Sequence, residues 1–395
     1  PPLSAVGISG LQAGEDVKIL KHSPAMTEFV RTEIRGRIGF ITLTRPKALN
    51  ALSHDMIRAI AAALDRWRDD CAVLGVVLQG EGEKGLCAGG DIRYFHEAVG
   101  AGRTDIMDFF SDEYRLNYAI ATYPKPYIAL MDGVVMGGGM GISQAAALRI
   151  VTEATRMAMP ETAIGLFPDV GGGYFLANLA GHLGEYLGTT GIVFGAVDAC
   201  EIGLADVVLP RASLPALCEL LANGQWQDAQ AVLDAARDFV RESLPPAGLA
   251  PGKLAPLRDA IDHHFGQPDM PAVLRSLKHE ARCEYSGWAQ ETEELLRAKR
   301  SPLMVCVTLE QVRRARKLSL ADELREEWLM MRSVFNLDGR MGAEGVEGIR
   351  ALVVDKDHKP RWQHASIEAV TRADVARFFD GERRGADNPL RDLGL

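Results

Sequence analysis

Apolar and polar positions in the first half of the chain alternate between two periods. Residues 37–44 are rich in β-branched and apolar side chains and stop just before Pro46, which is typical of a strand. After Ser53, apolar residues recur at helical spacing, which predicts an amphipathic helix over 54–70. The nearly continuous apolar run at 73–78 indicates a strand that is buried on both faces.

The same order of elements repeats further along the chain. Residues 127–131 and 149–152 are predicted strands, with a helix of small residues expected around 142–148 between them. A short strand is expected at 158–161 and a helix at 173–180. Two rounds of strand, loop and helix predict an α/β domain that is built from crossover units.

The pattern changes at about Leu214, after which apolar residues take helical spacing and strand signals are few. The stripe within 324–335 repeats at i, i+4, i+7 and i+11, which favours a packed helix. We therefore predict a catalytic core over 26–213 and a helical C-terminal region over 214–395 that completes a pocket. Residues 1–25 form a polar extension, which we expect to lie outside the fold, either disordered or foreign to the natural chain.

Residues 1–25 also bear on the expected location. They lack the basic start and apolar block of a secretory signal, and they contain no arginine, which argues against a transit peptide. We expect a cytoplasmic protein, or a protein of the mitochondrial matrix if it is eukaryotic.

Composition narrows the class of protein. The 395 residues are 47% hydrophobic and 25% charged, and the formal net charge of −9 argues against a nucleic-acid-binding protein. The sequence contains no run of about 18 apolar residues, so no membrane span is expected. The 6 cysteines include no Cys-x-x-Cys pair and the 9 histidines are dispersed, so we expect neither a disulfide framework nor a metal site.

Residues 80–85 match the Gly-x-Gly-x-x-Gly pattern of dinucleotide-binding loops and follow a predicted strand. The third glycine should open a helix, but residues 86–91 continue as a loop. Glu81 and Glu83 would also repel a pyrophosphate. Dinucleotide binding is therefore a distant alternative.

Two glycine-rich loops, at 87–91 and 136–141, each follow a predicted strand and precede a helix. Missing side chains expose backbone N–H groups, and two such groups aimed at one point form an oxyanion hole. Two ordinary tight turns explain the same composition.

Glu161 and Asp169 each follow a proline and lie eight residues apart. Asp169 stands where a helix is predicted to begin, a position that favours its ionised form. Glu161 has apolar neighbours, and burial among them would raise its pKa. Unequal environments of this kind assign acid and base roles. The alternatives are that Asp169 is a helix cap and that Glu161 is a surface acid.

Together these segments resemble the crotonase (enoyl-CoA hydratase/isomerase) superfamily over residues 29–379. The resemblance is carried by segments that occur in the family's order and spacing, namely residues 44–52, 87–91, 133–141, 159–161, 165–173 and 347–351 with 355–357. It implies an α/β fold, a crotonase-like ββα spiral core with a mostly α-helical C-terminal region.

The resemblance also implies an acyl-CoA pocket. The thioester oxygen would lie between backbone amides of Ala88 or Gly89 and of Gly138. Hydratases of the family carry a glutamate three residues after the second glycine, where this chain has Gly141. Addition of water by paired glutamates is therefore not expected.

The acids of this chain resemble those of a hydrolase branch. Glu161 matches the glutamate that the family retains, and Asp169 replaces a glycine of the hydratases. Glu161 would attack the thioester or act as general base, while Asp169 and Glu113 hold the substrate hydroxyl or a water molecule.

The resemblance implies hydrolysis of a short 3-hydroxyacyl-CoA thioester, with 3-hydroxyisobutyryl-CoA as the expected substrate, as in valine degradation. Acyl-CoA is the expected partner, no cofactor is expected because CoA is part of the substrate, and a homo-oligomer is compatible with this interpretation. The alternatives are an enoyl-CoA hydratase or isomerase of the same superfamily and a non-catalytic acyl-CoA binder.

Overall fold

The computed structural model describes residues 27–103, 105–243, 248–337, 344–380 and 387–394. The extension expected at 1–25 lies outside these described residues. The strands, in chain order, are β1 (Val30–Arg35), β2 (Ile38–Leu43), β3 (Gly75–Gly80), β4 (Gly85–Cys87), β5 (Tyr127–Met131), β6 (Val134–Met136), β7 (Leu148–Val151), β8 (Arg156–Ala158), β9 (Phe194–Gly195) and β10 (Val207–Val208).

The α-helices are more numerous in the second half of the chain. They are α1 (His54–Arg68), α2 (Ile92–Gly100), α3 (Ile106–Ala121), α4 (Gly138–Gly141), α5 (Gly172–Ala177), α6 (Leu183–Thr190), α7 (Ala196–Glu201), α8 (Leu214–Asn223), α9 (Ala229–Glu242), α10 (Arg258–Phe265), α11 (Met270–Lys278), α12 (Cys283–Lys299), α13 (Pro302–Ala315), α14 (Leu320–Val334), α15 (Glu344–Ile349) and α16 (Arg372–Ala376).

The strands form two sheets. The larger sheet has the order β1-β2-β3-β5-β7-β10, in which only the β1–β2 pair is antiparallel. The smaller sheet has the order β4-β6-β8-β9 and is parallel except at β8–β9. Parallel neighbours need crossover connections, and the predicted α/β class is therefore confirmed.

Helices cover both faces of the larger sheet. Apolar residues of α8 and α9, such as Leu217 and Val232, pack against one face beside Ile38 and Ile128. Ile57 and Leu64 of α1 belong to the second, larger core on the other side. Burial on both faces is why the strands in the middle of the sheet have continuous apolar runs.

Several predicted elements are found close to their expected places. The helix expected at 54–70 is α1, and the Ser53 hydroxyl accepts a hydrogen bond from the Met56 N–H at 3.3 Å at its start. The strand expected at 127–131 is β5. Residues 80–85 join β3 to β4 with no helix after them, so the structure gives no support to a dinucleotide-binding loop.

The prediction of a helix around 142–148 is wrong, because α4 ends at Gly141 and β7 begins at Leu148. The glycine loop itself forms the short helix α4, in which the Met140 and Gly141 N–H groups donate to the Gly137 carbonyl. The chain must then turn to enter β7, which pairs with β5. Helical propensity is a weak signal and gives way to this requirement of the sheet.

All strands of the described chain end by Val208, and every helix from Leu214 onward belongs to the helical C-terminal region. In that region α13 packs on α5 and α6, while α14 packs on α3. These contacts bring the C-terminal helices against the loop that precedes α5. The domain boundary at 213/214 stays a prediction.

Candidate active site

The two glycine-rich loops meet beside Leu52. The Leu52 N–H donates to the Gly89 carbonyl at 2.8 Å, and the Asp91 N–H donates to the Leu52 carbonyl at 2.9 Å. A methyl group built on Gly138 would lie 3.4 Å from the Gly90 nitrogen, so the backbones of the two loops approach closely. A side chain at Gly138 would separate them.

Two N–H groups of the first loop are already engaged. The Ala88 N–H donates to the Leu49 carbonyl at 3.0 Å. The Gly89 N–H lies 3.4 Å from the Cys87 sulfur. The pairing with Leu52 uses the carbonyl of Gly89 and the N–H of Asp91, which lie on either side of Gly90. The N–H of Gly90 points away from Leu52.

The candidate donors are consequently Gly90 and Gly138. Among the described residues, no backbone carbonyl accepts from the Gly90 N–H. Gly138 is the first residue of α4, and the first N–H groups of a helix have no acceptor within it. The structure therefore moves the first candidate donor from Ala88 or Gly89 to Gly90 and keeps the second at Gly138.

Two carboxyl groups approach the second loop. A methyl group built on Gly137 would lie 2.9 Å from Glu161 Oε1, and one built on Gly138 would lie 2.7 Å from Glu113 Oε1. Both acids are buried, so the interpretation of Glu161 as a surface acid is wrong. The two adjacent glycines leave the space that these carboxyl groups occupy.

A third acid, Asp169, joins this group through α3. The Tyr114 hydroxyl donates to Asp169 Oδ2 at 2.8 Å, and Tyr114 is the neighbour of Glu113. The charge of Asp169 raises the pKa of both Glu113 and Glu161. The three acids therefore form one electrostatically coupled cluster, although Glu161 and Asp169 lie eight positions apart in the sequence.

Burial controls the protonation of this cluster. Burial first, and then the charge of Asp169, raise the pKa of Glu161 well above its usual range, as the apolar neighbours predicted. Burial also raises the pKa of Asp169 to about 6, against the lowering effect of the Tyr114 hydrogen bond. The expected lowering of the Asp169 pKa by a helix start is not found, because α5 begins only at Gly172 and desolvation is the larger effect.

Asp169 is also not a helix cap. The residue in the capping position of α5 is Gly171, and no side chain caps that helix. The Asp169 side chain instead faces Tyr114 in the interior.

Several buried polar atoms at the site have no partner within the described protein. They are Glu113 Oε1, Glu161 Oε2 and both polar atoms of the Asn117 side chain. Buried polar atoms are nearly always hydrogen-bonded, so these atoms point to a polar group of a bound molecule. Asn117 was missed by the sequence analysis, although it lies one helical turn after Glu113.

Gly141 is tightly enclosed. A methyl group built on it would lie 2.6 Å from the Cβ of Val170 and 3.0 Å from Nδ2 of Asn117. Val170 has a left-handed backbone (φ 57°), which aims its side chain at this point. A glutamate side chain at position 141 has no room in this arrangement.

The loop after Asp169 is held by α14, another contact that the sequence analysis missed. The Gly171 N–H donates to Glu327 Oε2 at 2.9 Å, and the Gly173 N–H donates to Glu327 Oε1 at 3.4 Å. Glu327 is fully buried, and burial, followed by the charges of Glu323 and Asp169, raises its pKa. Glu327 lies in a helix without a recognisable motif, so no sequence pattern indicated this role.

Metal-binding groups and membrane-spanning helices are both lacking in the described residues. Within them, no three His, Cys, Asp or Glu side chains are grouped so that they could hold a metal ion. None of the helices in the described segments is long and apolar enough to cross a membrane.

Comparisons with known proteins identify the family of this chain. The sequence model of the family described as enoyl-CoA hydratase/isomerase matches residues 38–379. A curated relative, "3-hydroxyisobutyryl-CoA hydrolase, mitochondrial" of Xenopus tropicalis, is 38% identical, and the match covers 87% of this chain and 86% of the relative.

Two solved structures have the same fold. A carnitinyl-CoA dehydratase from Mycobacterium thermoresistibile has a TM-score of 0.79 and 37% identity, covering 89% of this chain and 96% of its own. An enoyl-CoA hydratase from Rhodobacter sphaeroides 2.4.1 has a TM-score of 0.78 and 37% identity, and the match covers 89% of this chain and 97% of the hydratase chain. The crotonase-like α/β core with a mostly helical C-terminal region is thus confirmed, and the chain belongs to the enoyl-CoA hydratase/isomerase family.

Proposed function

We propose that the protein hydrolyses a short 3-hydroxyacyl-CoA thioester, with 3-hydroxyisobutyryl-CoA as its substrate, to the free acid and CoA. The observation that carries this proposal is the approach of Glu161 and Glu113 to Gly137 and Gly138, beside two backbone donors without a backbone acceptor among the described residues. The name of the Xenopus tropicalis relative supports the choice of substrate.

The Gly90 and Gly138 N–H groups would bind the thioester oxygen. A thioester is an activated acyl group, so the main barrier is the negative charge that develops on this oxygen. In other enzymes, removal of one such donor costs about 3–4 kcal/mol. The two donors are therefore expected to make the largest single contribution to catalysis.

Glu161 would supply the reactive carboxylate. In the covalent route, which we favour, it attacks the carbonyl carbon, the C–S bond breaks, and the CoA thiolate leaves and takes up a proton. Water then cleaves the mixed anhydride, which releases the acid and restores Glu161. In the alternative route, Glu161 removes a proton from a water molecule that attacks the thioester directly.

A single turnover in ¹⁸O-labelled water separates the two routes. Label in Glu161 shows that water opened an anhydride at the glutamyl carbon. Label in the product alone, together with the absence of a hydroxylamine-trapped adduct of Glu161, supports the general-base route and rejects the covalent one.

Asp169 and Glu113 would hold the 3-hydroxyl group of the substrate or the attacking water. Glu113 Oε1 has no partner in the described protein, and the Tyr114 hydroxyl donates to Asp169 Oδ2, which holds that side chain beside Glu113. Asn117 offers both a donor and an acceptor one turn further along α3. This polar wall suits a hydroxylated acyl chain better than a plain hydrocarbon chain.

Addition of water to an enoyl-CoA is the second candidate function, because the two solved structures are named as a hydratase and a dehydratase. Gly141 argues against it, since the position lacks both a carboxylate and the room for one. The decisive assay measures thiol release from 3-hydroxyisobutyryl-CoA and from crotonyl-CoA.

We expect thiol release from the hydroxylated ester. Loss of crotonyl-CoA without thiol release would favour a hydratase. Tight binding of CoA esters without any turnover would favour the non-catalytic binder.

The proposal also covers the helical region, the cofactor requirement, the cellular location and the oligomeric state. The helical region after Leu214 would complete the pocket, since α13 and α14 pack on α5 and α3. Activity should survive chelators and extensive dialysis, because no cofactor is expected beyond the CoA of the substrate. A cytoplasmic or matrix location and a homo-oligomer stay predictions, which cell fractionation and sedimentation of the purified protein test.

A further inference from the structure

We infer that Glu327 is a positioning residue for hydrolysis: its carboxyl group clamps the backbone at Gly171 and Gly173 and thereby fixes Asp169 in the site. The inference rests on the proposed function, because it assigns a partner to an acid of that site. It gives the helical C-terminal region a specific task.

The loop that follows Asp169 has an unusual backbone shape. Val170 and Gly171 both have left-handed backbones, with φ of 57° and 81°. For valine this conformation is a strained one, which persists only where the surroundings hold it. The residue directly before this turn is Asp169, so the turn sets the direction of that side chain.

Two hydrogen bonds to Glu327 hold this turn. The Gly171 N–H lies 2.9 Å from Glu327 Oε2, and the Gly173 N–H lies 3.4 Å from Glu327 Oε1. Both N–H groups are buried, and α5 offers neither of them an acceptor because they lie at its start. On the other side of the turn, the Gln311 amide donates to the Pro168 carbonyl at 2.8 Å. Residues of α13 and α14 therefore hold the loop at three points.

Keeping this carboxyl group in the interior is unfavourable for stability. Glu327 and Glu323 are both fully buried, and neither forms an ion pair with a cation within the described part of the chain. Burial of an acid without a counter-charge is destabilising. An apolar residue would pack here at a lower cost, so the retained carboxyl group is explained by the two N–H groups that it satisfies.

The experiment uses two substitutions that remove acceptors step by step. Glu327→Gln keeps the shape but offers one acceptor oxygen in place of two, and Glu327→Met offers none. We expect kcat for 3-hydroxyisobutyryl-CoA to fall roughly 10-fold and 100-fold respectively, which is the scale of a misplaced catalytic group. KM should change less than about 2-fold. Hydrogen exchange at the Gly171 and Gly173 amides should become faster in the same order.

A double-mutant cycle separates positioning from general damage to the fold. If Glu327 acts through Asp169, Glu327→Gln should change kcat less than about 2-fold in an Asp169→Asn background. The same fold-loss in both backgrounds would overturn the inference. Glu185→Gln is the matched control, since Glu185 is a fully buried glutamate outside the site and its removal should leave kcat of the folded protein unchanged.

The outcomes keep the two proposals apart. If the wild-type protein releases no thiol from the ester, the proposed function fails, but the exchange of the two amides still reports on the clamp. If the wild-type protein is active and both Glu327 variants, shown to be folded by circular dichroism, retain full kcat, the inference fails and the proposed function stands.

Discussion

Buried glutamates occur in two different settings in this protein. Glu185 on α6 is fully buried, but Arg316 Nη2 lies 2.8 Å from both of its oxygens and His182 Nδ1 lies 3.0 Å from one. Glu161 and Glu113 are also buried, yet in the described residues neither has an ion pair, and each has an oxygen without a partner. Arg316 and His182 therefore compensate Glu185, whereas Glu161 and Glu113 have oxygens that are available to a ligand.

The difference separates Glu185, which has a structural role, from Glu161 and Glu113, the candidate catalytic acids. Removing the partner of a buried, compensated charge is destabilising, whereas an uncompensated acid lowers stability by its presence. Burial raises the pKa of Glu161, and an acid of this kind is more basic when it is ionised. Four substitutions test the comparison.

The largest effect is expected from Glu161→Gln. The amide retains the shape but is neither a nucleophile nor a base, so kcat for thiol release should fall by roughly 10²–10⁴. Thiol release and circular dichroism measure activity and folding in parallel. Near-normal activity of the folded variant would remove Glu161 from the mechanism.

Gly138→Ala should have the next largest effect. The added methyl group would lie 2.7 Å from Glu113 Oε1 and 3.4 Å from the Gly90 nitrogen, so it displaces the acid or widens the oxyanion hole. We expect kcat to fall roughly 10–100-fold. Gly195→Ala is the matched control, because a methyl group there has open space around it. Equal activity of the two variants would contradict the site geometry.

Asp169→Asn should move the pH profile. The negative charge of Asp169 raises the pKa of Glu161, so its removal lowers that pKa towards the ordinary value. Hydrolysis by ionised Glu161 is lost as pH falls, and this acidic limb should therefore move to lower pH. The measurement is kcat against pH for both proteins. A shift to higher pH would mean that the two acids do not interact as described.

The smallest expected effect is a difference in stability between Glu185→Gln and Glu161→Gln. Loss of Glu185 leaves Arg316 without its buried partner, so the free energy of unfolding should decrease by about 1–3 kcal/mol. Glu161→Gln should leave it unchanged or raise it, since an uncompensated acid is removed. Urea denaturation at neutral pH measures both. Destabilisation by Glu161→Gln equal to that by Glu185→Gln would contradict the comparison.

The parts of the site that the sequence predicted lie in short local segments. Glu161 and Gly138 stand inside motifs of a few residues, shortly after the short strands β8 and β6. Asp169 was predicted as a site residue, but its protonation was not, because burial depends on packing by distant helices.

The parts that the sequence did not predict depend on long-range contacts. Glu327 is 156 positions from Gly171, and no pattern in α14 links the two. Gly90 was passed over because composition alone does not show which N–H of a glycine loop is already engaged. The helix expected at 142–148 failed for a similar reason, since the pairing of β7 with β5 decides where the chain turns.

The packing around Gly141 restricts how this protein can change during evolution. A glutamate introduced there meets the Cβ of Val170 at 2.6 Å, so it cannot be accommodated unless Val170 is displaced as well. A single-step mutational route towards water addition to double bonds is thus closed. Divergence between the two chemistries then requires several coupled substitutions, and intermediates that carry only one of them are expected to be poorly folded.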